Sequence, residues 1–255
     1  LMSSAHYSKL AQRYEGPLFY NPASPYFSWL VRRVSEHLEL RPEHRVADIG
    51  GGTGSFAEAL QRSAQLRSPL LLVEPNRELC RIAAQRPELQ VLELSAADFT
   101  ARAELGAFDG ILLKEVVHHF EREGLAGLFA GFRERLAPGG QLVIVTRPVD
   151  PPYPLFADAR EVWRAAQPPP ERFAAALREA GFRVMRSDEA YPLEIEREVW
   201  LGLIERRFWS TFSAFSDDAL ARGIEELRAA LPAGLVRFSD HLIVLKARRA
   251  IATEE

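Results

Sequence analysis

Asp48-x-Gly50-x-Gly52-x-Gly54 is the spacing in this chain that most constrains chemistry. Glycine lets a ligand approach the backbone closely, because no Cβ stands in the way. A helix that starts just after such a loop offers free N–H groups. Three ligand classes compete for the arrangement. A phosphate loop needs Gly-Lys followed by Ser or Thr, whereas Gly54 is followed by Ser55 and Phe56. A dinucleotide loop needs G-x-G-x-x-G. Counted from Gly50, the third position is Ser55 and the glycine falls at 54. Asp48 would also face a pyrophosphate with like charge. A cationic or zwitterionic ligand turns that objection into a reason, because the acid attracts it.

The elements around this loop place further polar residues beside it. Residues 45–49 read as a short buried strand, and Phe56, Ala59 and Leu60 mark one face of the helix that follows. Strands are expected at 69–74, 89–94, 108–114 and 141–146, with helices at 76–85 and 121–136 and an Ala-Pro-Gly-Gly turn at 137–140. Strands alternating with helices imply a parallel sheet with right-handed crossovers. Ligands of such sheets bind at the C-terminal edge of the strands. Glu74 ends the second strand, and Asp98 and Phe99 follow the third. Lys114 ends the fourth, and Glu115, His118 and His119 follow it.

After residue 146 the pattern changes. Residues 147–156 form a proline-rich loop, and 158–166 and 171–180 read as helices, the second ended by Gly181. Residues 182–186 and 241–247 read as strands. Between them lie two amphipathic helices. One carries Val199, Trp200, Leu203, Ile204 and Phe208; the other carries Leu220, Ile224, Leu227 and Leu231, with Ser216 as N-cap.

Composition narrows the partners. The net charge of −3 and the absence of a long Lys/Arg run argue against nucleic acid and an anionic membrane surface. No apolar run approaches the roughly 18 residues of a membrane span, and the N-terminal stretch lacks the apolar core of a signal peptide. Cys80 is the single cysteine, so a cysteine-rich metal site is excluded, no metal is expected, and a reducing cytoplasm is the simplest home. Cys80 itself reads as a packed side chain.

Five ordered motifs resemble those of class I S-adenosylmethionine-dependent methyltransferases. Asp48 through Gly54 is similar to the first. Glu74 matches the acid that such enzymes use on the ribose hydroxyls, a role that suits a carboxylate with several acceptor lone pairs. Asp98 and Phe99, in SAADF, match the acid near the adenine amino group; the Phe99 ring either stacks on adenine or packs. FDGILLKEVVHHF resembles the fourth-strand motif, and LAPGGQLVIV the turn before the fifth strand. REAGFRV and DHLIVLKA are similar to the paired last strands, of which the final one inserts between the fifth and sixth. The resemblance covers residues 46–247. It implies a Rossmann-like α/β fold, with a seven-stranded, mostly parallel sheet and helices on both faces. It also implies one structural domain, with an N-terminal helical cap at 1–40, a cofactor-binding portion at 41–255 and a helical lid at 195–233. S-adenosyl-L-methionine is the implied cofactor, with S-adenosyl-L-homocysteine as product.

The resemblance is to the small-molecule branch. The place where amino-methylating enzymes of bases or glutamine carry Asn/Asp/Ser-Pro-Pro-aromatic reads KEVV here. Lys114 either neighbours the methionine end of the cofactor or forms a solvated pair with Glu115. Tyr7, Tyr14 and Tyr20 of the cap either line the cofactor and acceptor pocket or pack, and Tyr14 is the residue assigned to the cofactor. Arg206 and Arg207 either clamp an acidic substrate or face solvent. A hydroxyl acceptor needs a base, and His118 or His119 is the candidate. Adjacent side chains are expected to point apart, so only one of the two should act. The expected reaction is O-methylation of a small molecule. N-methylation of a small amine, a related transfer from a modified cofactor, and a cofactor-binding partner protein without turnover are the alternatives. The oligomeric state is open.

Overall fold

The computed structural model describes Phe19 and residues 21–249. Tyr7, Tyr14 and Tyr20 lie outside the described residues. Helix α1 is Pro25–His37, capped by Ser24, whose hydroxyl accepts from the Phe27 N–H. Then come β1 (Val46–Ile49), α2 (Ser55–Ala64), β2 (Leu70–Glu74), α3 (Arg77–Ala83), β3 (Leu89–Glu93), α4 (Ala96–Ala101) and β4 (Phe108–Lys114). A short 3-10 turn, Val117–His119, leads to α5 (Leu125–Glu134), β5 (Leu136–Thr146), α6 (Ala157–Ala166) and α7 (Pro170–Glu179). The chain continues through β6 (Phe182–Glu196), α8 (Arg197–Glu205), the 3-10 turn Ser210–Ala214, α9 (Asp217–Ala230) and β7 (Leu235–Arg249).

The seven strands form one sheet in the order β3-β2-β1-β4-β5-β7-β6, and the pairs from β3 through β5 are parallel. The last strand inserts between the fifth and sixth, as the sequence resemblance implies. Strands β1 and β2 are buried along their whole length. They read as continuous apolar runs because both faces of a parallel sheet are covered. Phe99, Phe108, Phe129 and Phe132 are wholly buried, and each contributes roughly 1.5–3 kcal/mol on burial.

Boundaries move where the backbone does something unusual. The expected helix at 121–136 begins only at Leu125, because Gly124 sits at its N-cap with φ +80. Strand β5 starts at Leu136 rather than 141. Leu136 pairs with Phe108, and the register then shifts to Gly110 opposite Gln141, so Ala-Pro-Gly-Gly becomes an irregularity inside the strand. A side chain at Gly140 would meet the Phe108 carbonyl at 2.8 Å. The last two strands are far longer than expected, 15 residues each. Strand β6 lies at the sheet edge, where Pro192 is tolerated.

The chain divides into two compact units. Among the described residues, the first holds those through Thr146, Glu171–Ser187 and 244–249; the second holds Arg147–Pro170 and Asp188–Ile243. Within the first, α1 packs on α2 through Phe27 and Phe56, with ring centroids 5.8 Å apart and edge to face. The second has an aromatic core. Trp200, Tyr153 and Phe212 are fully buried, and Tyr153 lies 4.6 Å from Trp209 and 5.7 Å from Trp163. Among the described residues no helix is long and apolar enough to cross a membrane.

Candidate active site

The loop from Gly50 to Gly54 turns sharply between β1 and α2. Gly50 has φ +73 and Gly52 φ +59, a region that costs side chains dearly. A Cβ on Gly50 would meet Val116 Cγ2 at 2.4 Å, so that position is closed by sterics as well. A Cβ on Gly52 would meet nothing within 4 Å. The backbone there faces open space, as a ligand-receiving position must.

Three ionisable side chains share one face of the sheet at this edge. Asp48 pairs in register with Leu72 of β2 and Leu112 of β4. Glu74 and Lys114 stand two residues further along those strands, and side chains two apart point the same way. Asp48 is only 2% exposed. Burial pushes its carboxyl up to about 7; Glu74 adds to the rise, and Lys114 opposes it. Lys114 also places its Nζ over the Phe56 ring, 4.8 Å from the centroid.

Glu74 is organised by backbone donors. Its Oε1 accepts the Asn76 N–H at 2.9 Å, and its Oε2 accepts the Gly52 N–H at 3.1 Å. Burial raises its pKa, and these two donors pull it back. Each oxygen keeps a further lone pair, enough for two vicinal hydroxyls. Asn76 also caps α3, its side chain accepting from the Glu78 and Leu79 N–H groups.

The other expected site residues are placed as follows. Asp98 closes a capping box at the start of α4, accepting the Ser95 hydroxyl at 2.6 Å, while the Ser95 hydroxyl accepts the Asp98 N–H at 3.0 Å. Those bonds hold its carboxyl below the usual range. Phe99 is wholly buried, packed at 5.5 Å from Phe108 and 6.0 Å from Phe132. Of its two readings, adenine stacking is the one the structure disfavours, because the core covers the ring. His118 and His119 sit on the 3-10 turn just after β4. Their rings do not diverge as expected: the tight turn brings the centroids to 4.0 Å. The His119 ring is open to solvent on one side, yet partial burial and the neighbouring His118 push its pKa down to about 4, with Glu115 opposing. Glu115 itself holds a left-handed backbone at φ +55, an uncommon conformation of the kind found at functional sites.

Several polar residues serve structure instead. Asp109 accepts the Arg45 N–H at 2.8 Å and fixes the start of β4. Arg207 donates to the Phe212 carbonyl and to Asp217, so it is tied within the second unit. Tyr153, whose hydroxyl could serve as a base, is buried and bonded to both Arg147 and Asp240. The Cys80 thiol donates to the Glu74 carbonyl at 3.1 Å and is pushed up to about 11 by burial and nearby carboxylates. Among the described residues no group of three or more His, Cys, Asp or Glu could hold a metal ion. Sequence reasoning did not single out Asn76, Arg86 or Val116; Arg86 and Val116 meet the loop only through the folded sheet, whereas Asn76 acts locally, on the Glu74 carboxylate.

The methyltransferase-domain family matches residues 23–187 of this chain. The chain belongs to that family, and its fold is that of the class I S-adenosylmethionine-dependent methyltransferases. S-adenosylmethionine is the cofactor of the class, and the open Gly52 backbone, the half-used Glu74 carboxylate and buried Asp48 fit it. A curated relative, protein-L-isoaspartate O-methyltransferase of Rhodopseudomonas palustris, is 34% identical over 86 residues, 33% of this chain. The match spans only 40% of that relative's length. Among solved structures, an Anabaena variabilis protein assigned to the methyltransferases and to an antibiotic biosynthesis pathway superimposes with TM-score 0.64 at 20% identity, covering 86% of this chain and 96% of that one. A Haemonchus contortus phosphoethanolamine N-methyltransferase 2, bound to S-adenosylhomocysteine, gives TM-score 0.60 at 16% identity, covering 96% of this chain and 58% of that one. At such identities the likeness concerns the fold.

Proposed function

We propose that the chain methylates the hydroxyl of a small-molecule acceptor, with His118 as the base. The observation that carries this reading is the imidazole pair on the turn after β4, at the same sheet edge as the glycine loop and Glu74. When bound, S-adenosylmethionine supplies a methyl group already activated on a sulfonium. Glu74 holds the ribose hydroxyls, Asp48 faces the cationic end, and Lys114 offers an ammonium to the carboxylate. The open backbone at Gly52 lets the cofactor lie close. What remains for the protein is to align the acceptor and to receive its proton. His118 takes that proton at an imidazole nitrogen and later returns it to water. His119, its pKa pushed down to about 4 by partial burial and by His118, is neutral at working pH and holds a proton only weakly. It serves better as the neighbour that fixes the His118 ring.

We further propose that the expected lid segment, residues 195–233, is ordered when the acceptor binds. Slower hydrogen exchange there with cofactor and acceptor bound supports this; unchanged exchange overturns it.

The test of the base is a pair of single variants assayed with a panel of phenolic, alcoholic and amine acceptors. His118→Ala should lower turnover by about 10²–10⁴ on a hydroxyl acceptor, the usual worth of a positioned base. S-adenosylhomocysteine affinity should not change. If His118→Ala keeps full turnover and amines are methylated instead, the acceptor is an amine that needs no base. A loss confined to His119→Ala, with a pH profile flat until near 4, moves the role to His119.

A further inference from the structure

The glycine loop is held from two sides, and only the inner one involves a residue of the cofactor motifs. On the inner side Glu74 takes the Gly52 N–H. On the outer side lies Arg86, in the turn between α3 and β3. Its Nε donates to the Thr53 carbonyl at 3.0 Å, and a terminal nitrogen donates to the Ser55 hydroxyl at 2.9 Å. The other terminal nitrogen pairs with Glu58 on α2. Glu58 in turn bonds Arg62 at 2.8 Å, one helical turn on, and Arg62 bonds Glu88 at 2.6 Å. The guanidinium thus uses all three of its nitrogens on one loop and the helix that follows it. Its planar fork suits such divided donation, which a lysine cannot reproduce.

The loop needs an external hold. Gly54 stands at the N-cap of α2 with φ +79 and provides no side-chain cap. A free glycine-rich backbone has much conformational entropy to lose on binding. Fixing the Thr53 carbonyl sets the peptide plane whose N–H, at Gly54, closes on the Gly51 carbonyl at 3.1 Å. The same turn also packs against Gly54: a Cβ there would meet Leu89 Cδ1 at 2.6 Å, Ala83 Cβ at 3.2 Å and Arg86 Cδ at 3.3 Å.

We propose that Arg86, anchored by Glu58, is a positioning residue that holds residues 52–55 in the cofactor-receiving conformation. The proposal rests on the reading of the loop as the S-adenosylmethionine site. The test measures S-adenosylhomocysteine affinity by calorimetry, and amide exchange of residues 52–56, in Arg86→Met, Arg86→Lys and Glu58→Gln. Arg86→Met keeps the stem and removes the fork. It should weaken binding about tenfold or more, the scale of losing charged hydrogen bonds. Loop amides should exchange faster in the ligand-free variant. Arg86→Lys should recover part of the affinity, and Glu58→Gln should show a smaller loss of the same kind. At saturating cofactor, kcat should stay near its original value while KM for the cofactor rises. Affinity and loop exchange within twofold of the parent in folded Arg86→Met overturn the proposal. If that variant does not fold, the same result in Arg86→Lys and Glu58→Gln overturns it. Failure of the parent chain to bind S-adenosylhomocysteine removes the site reading itself, and this proposal with it.

Discussion

The two compact units handle charge in opposite ways. In the first, the ionisable groups that matter stand at a sheet edge, where loop backbone and carboxylates face a position open to a ligand. Asp48 and Glu74 are both buried, Glu74 takes two backbone N–H donors and keeps further acceptor capacity, and both carboxyls are raised by that burial. In the second, Arg147 and Asp240 are paired to each other and to the Tyr153 hydroxyl, inside a shell of tryptophan and phenylalanine. The Asp240 side chain is 0% exposed. Unspent hydrogen-bonding capacity marks a site, whereas a closed network marks a scaffold. Buried charge alone does not distinguish them.

The largest expected effect follows from the closed network. Asp240→Ala leaves the Arg147 guanidinium buried without its counter-ion, which should cost about 3–5 kcal/mol of stability. The matching change at the solvated ion pair of the first unit, Glu88→Ala, removes a partner of Arg62, a side chain 60% exposed, and should cost far less, because solvent screens such a pair. Urea unfolding of both variants checks the contrast. Equal losses would break the comparison, because the buried network would then be no different from a solvated pair.

Next comes the open carboxylate. Glu74→Ala removes the acceptor of the Gly52 and Asn76 N–H groups as well as the ribose partner. S-adenosylhomocysteine binding should weaken by about 1–3 kcal/mol, the range for losing hydrogen bonds to a charged group. Calorimetry should also show no binding of NAD, consistent with the spacing of the glycines. NAD binding tighter than S-adenosylhomocysteine would overturn the choice of cofactor.

How much of this was legible in the sequence depends on how far apart the cooperating residues lie. Asp48, Gly50, Gly52 and Gly54 share one strand and loop, so their chemistry is written in their spacing. Glu74 is readable because a strand end is a predictable place. The hold on the loop is not, since Arg86 meets Thr53 only once β3 has docked beside β2. Arg147, Tyr153 and Asp240 lie up to 93 positions apart, and no local pattern links them. The long β6 was partly readable: Leu193 and Ile195 are buried between exposed Glu194 and Glu196, a period of two. Pro192 and the acidic residues around it obscured that signal. Phe99 carries the opposite lesson. Its position in the motif suggested a ligand, and its company with Phe108 and Phe132 places it in the core.

Phe99 therefore separates motif from packing by measurement. Phe99→Leu keeps an apolar side chain of somewhat smaller volume and should cost about 1–1.5 kcal/mol of stability. Affinity for S-adenosylhomocysteine should stay within twofold. A loss of affinity greater than the loss of stability would return the ring to the adenine site.

The smallest effect concerns protons, and it sharpens the difference between open and closed charge. With its carboxyl raised to about 7, Asp48 is largely protonated at pH 6 in the ligand-free protein. The sign for folding follows directly. The folded state holds this proton more tightly than the unfolded one, so the stability that Asp48 contributes is present at low pH and is lost as pH rises from about 4 to 7. A cationic ligand reverses the preference, because it favours the carboxylate. Binding should then release a proton, and affinity should rise with pH until Asp48 ionises unaided. For a group titrating near 7, the linkage relation gives about a fivefold gain between pH 6 and 7 and less than twofold between 7 and 8. Calorimetry at pH 6 in buffers of different ionisation heats reads the proton count directly. Asp48→Asn should abolish the dependence while keeping the side chain's shape. An affinity flat from pH 6 to 8 in the parent chain would mean that Asp48 does not face the ligand's charge. The buried acid of the first unit would then be as closed as Asp240.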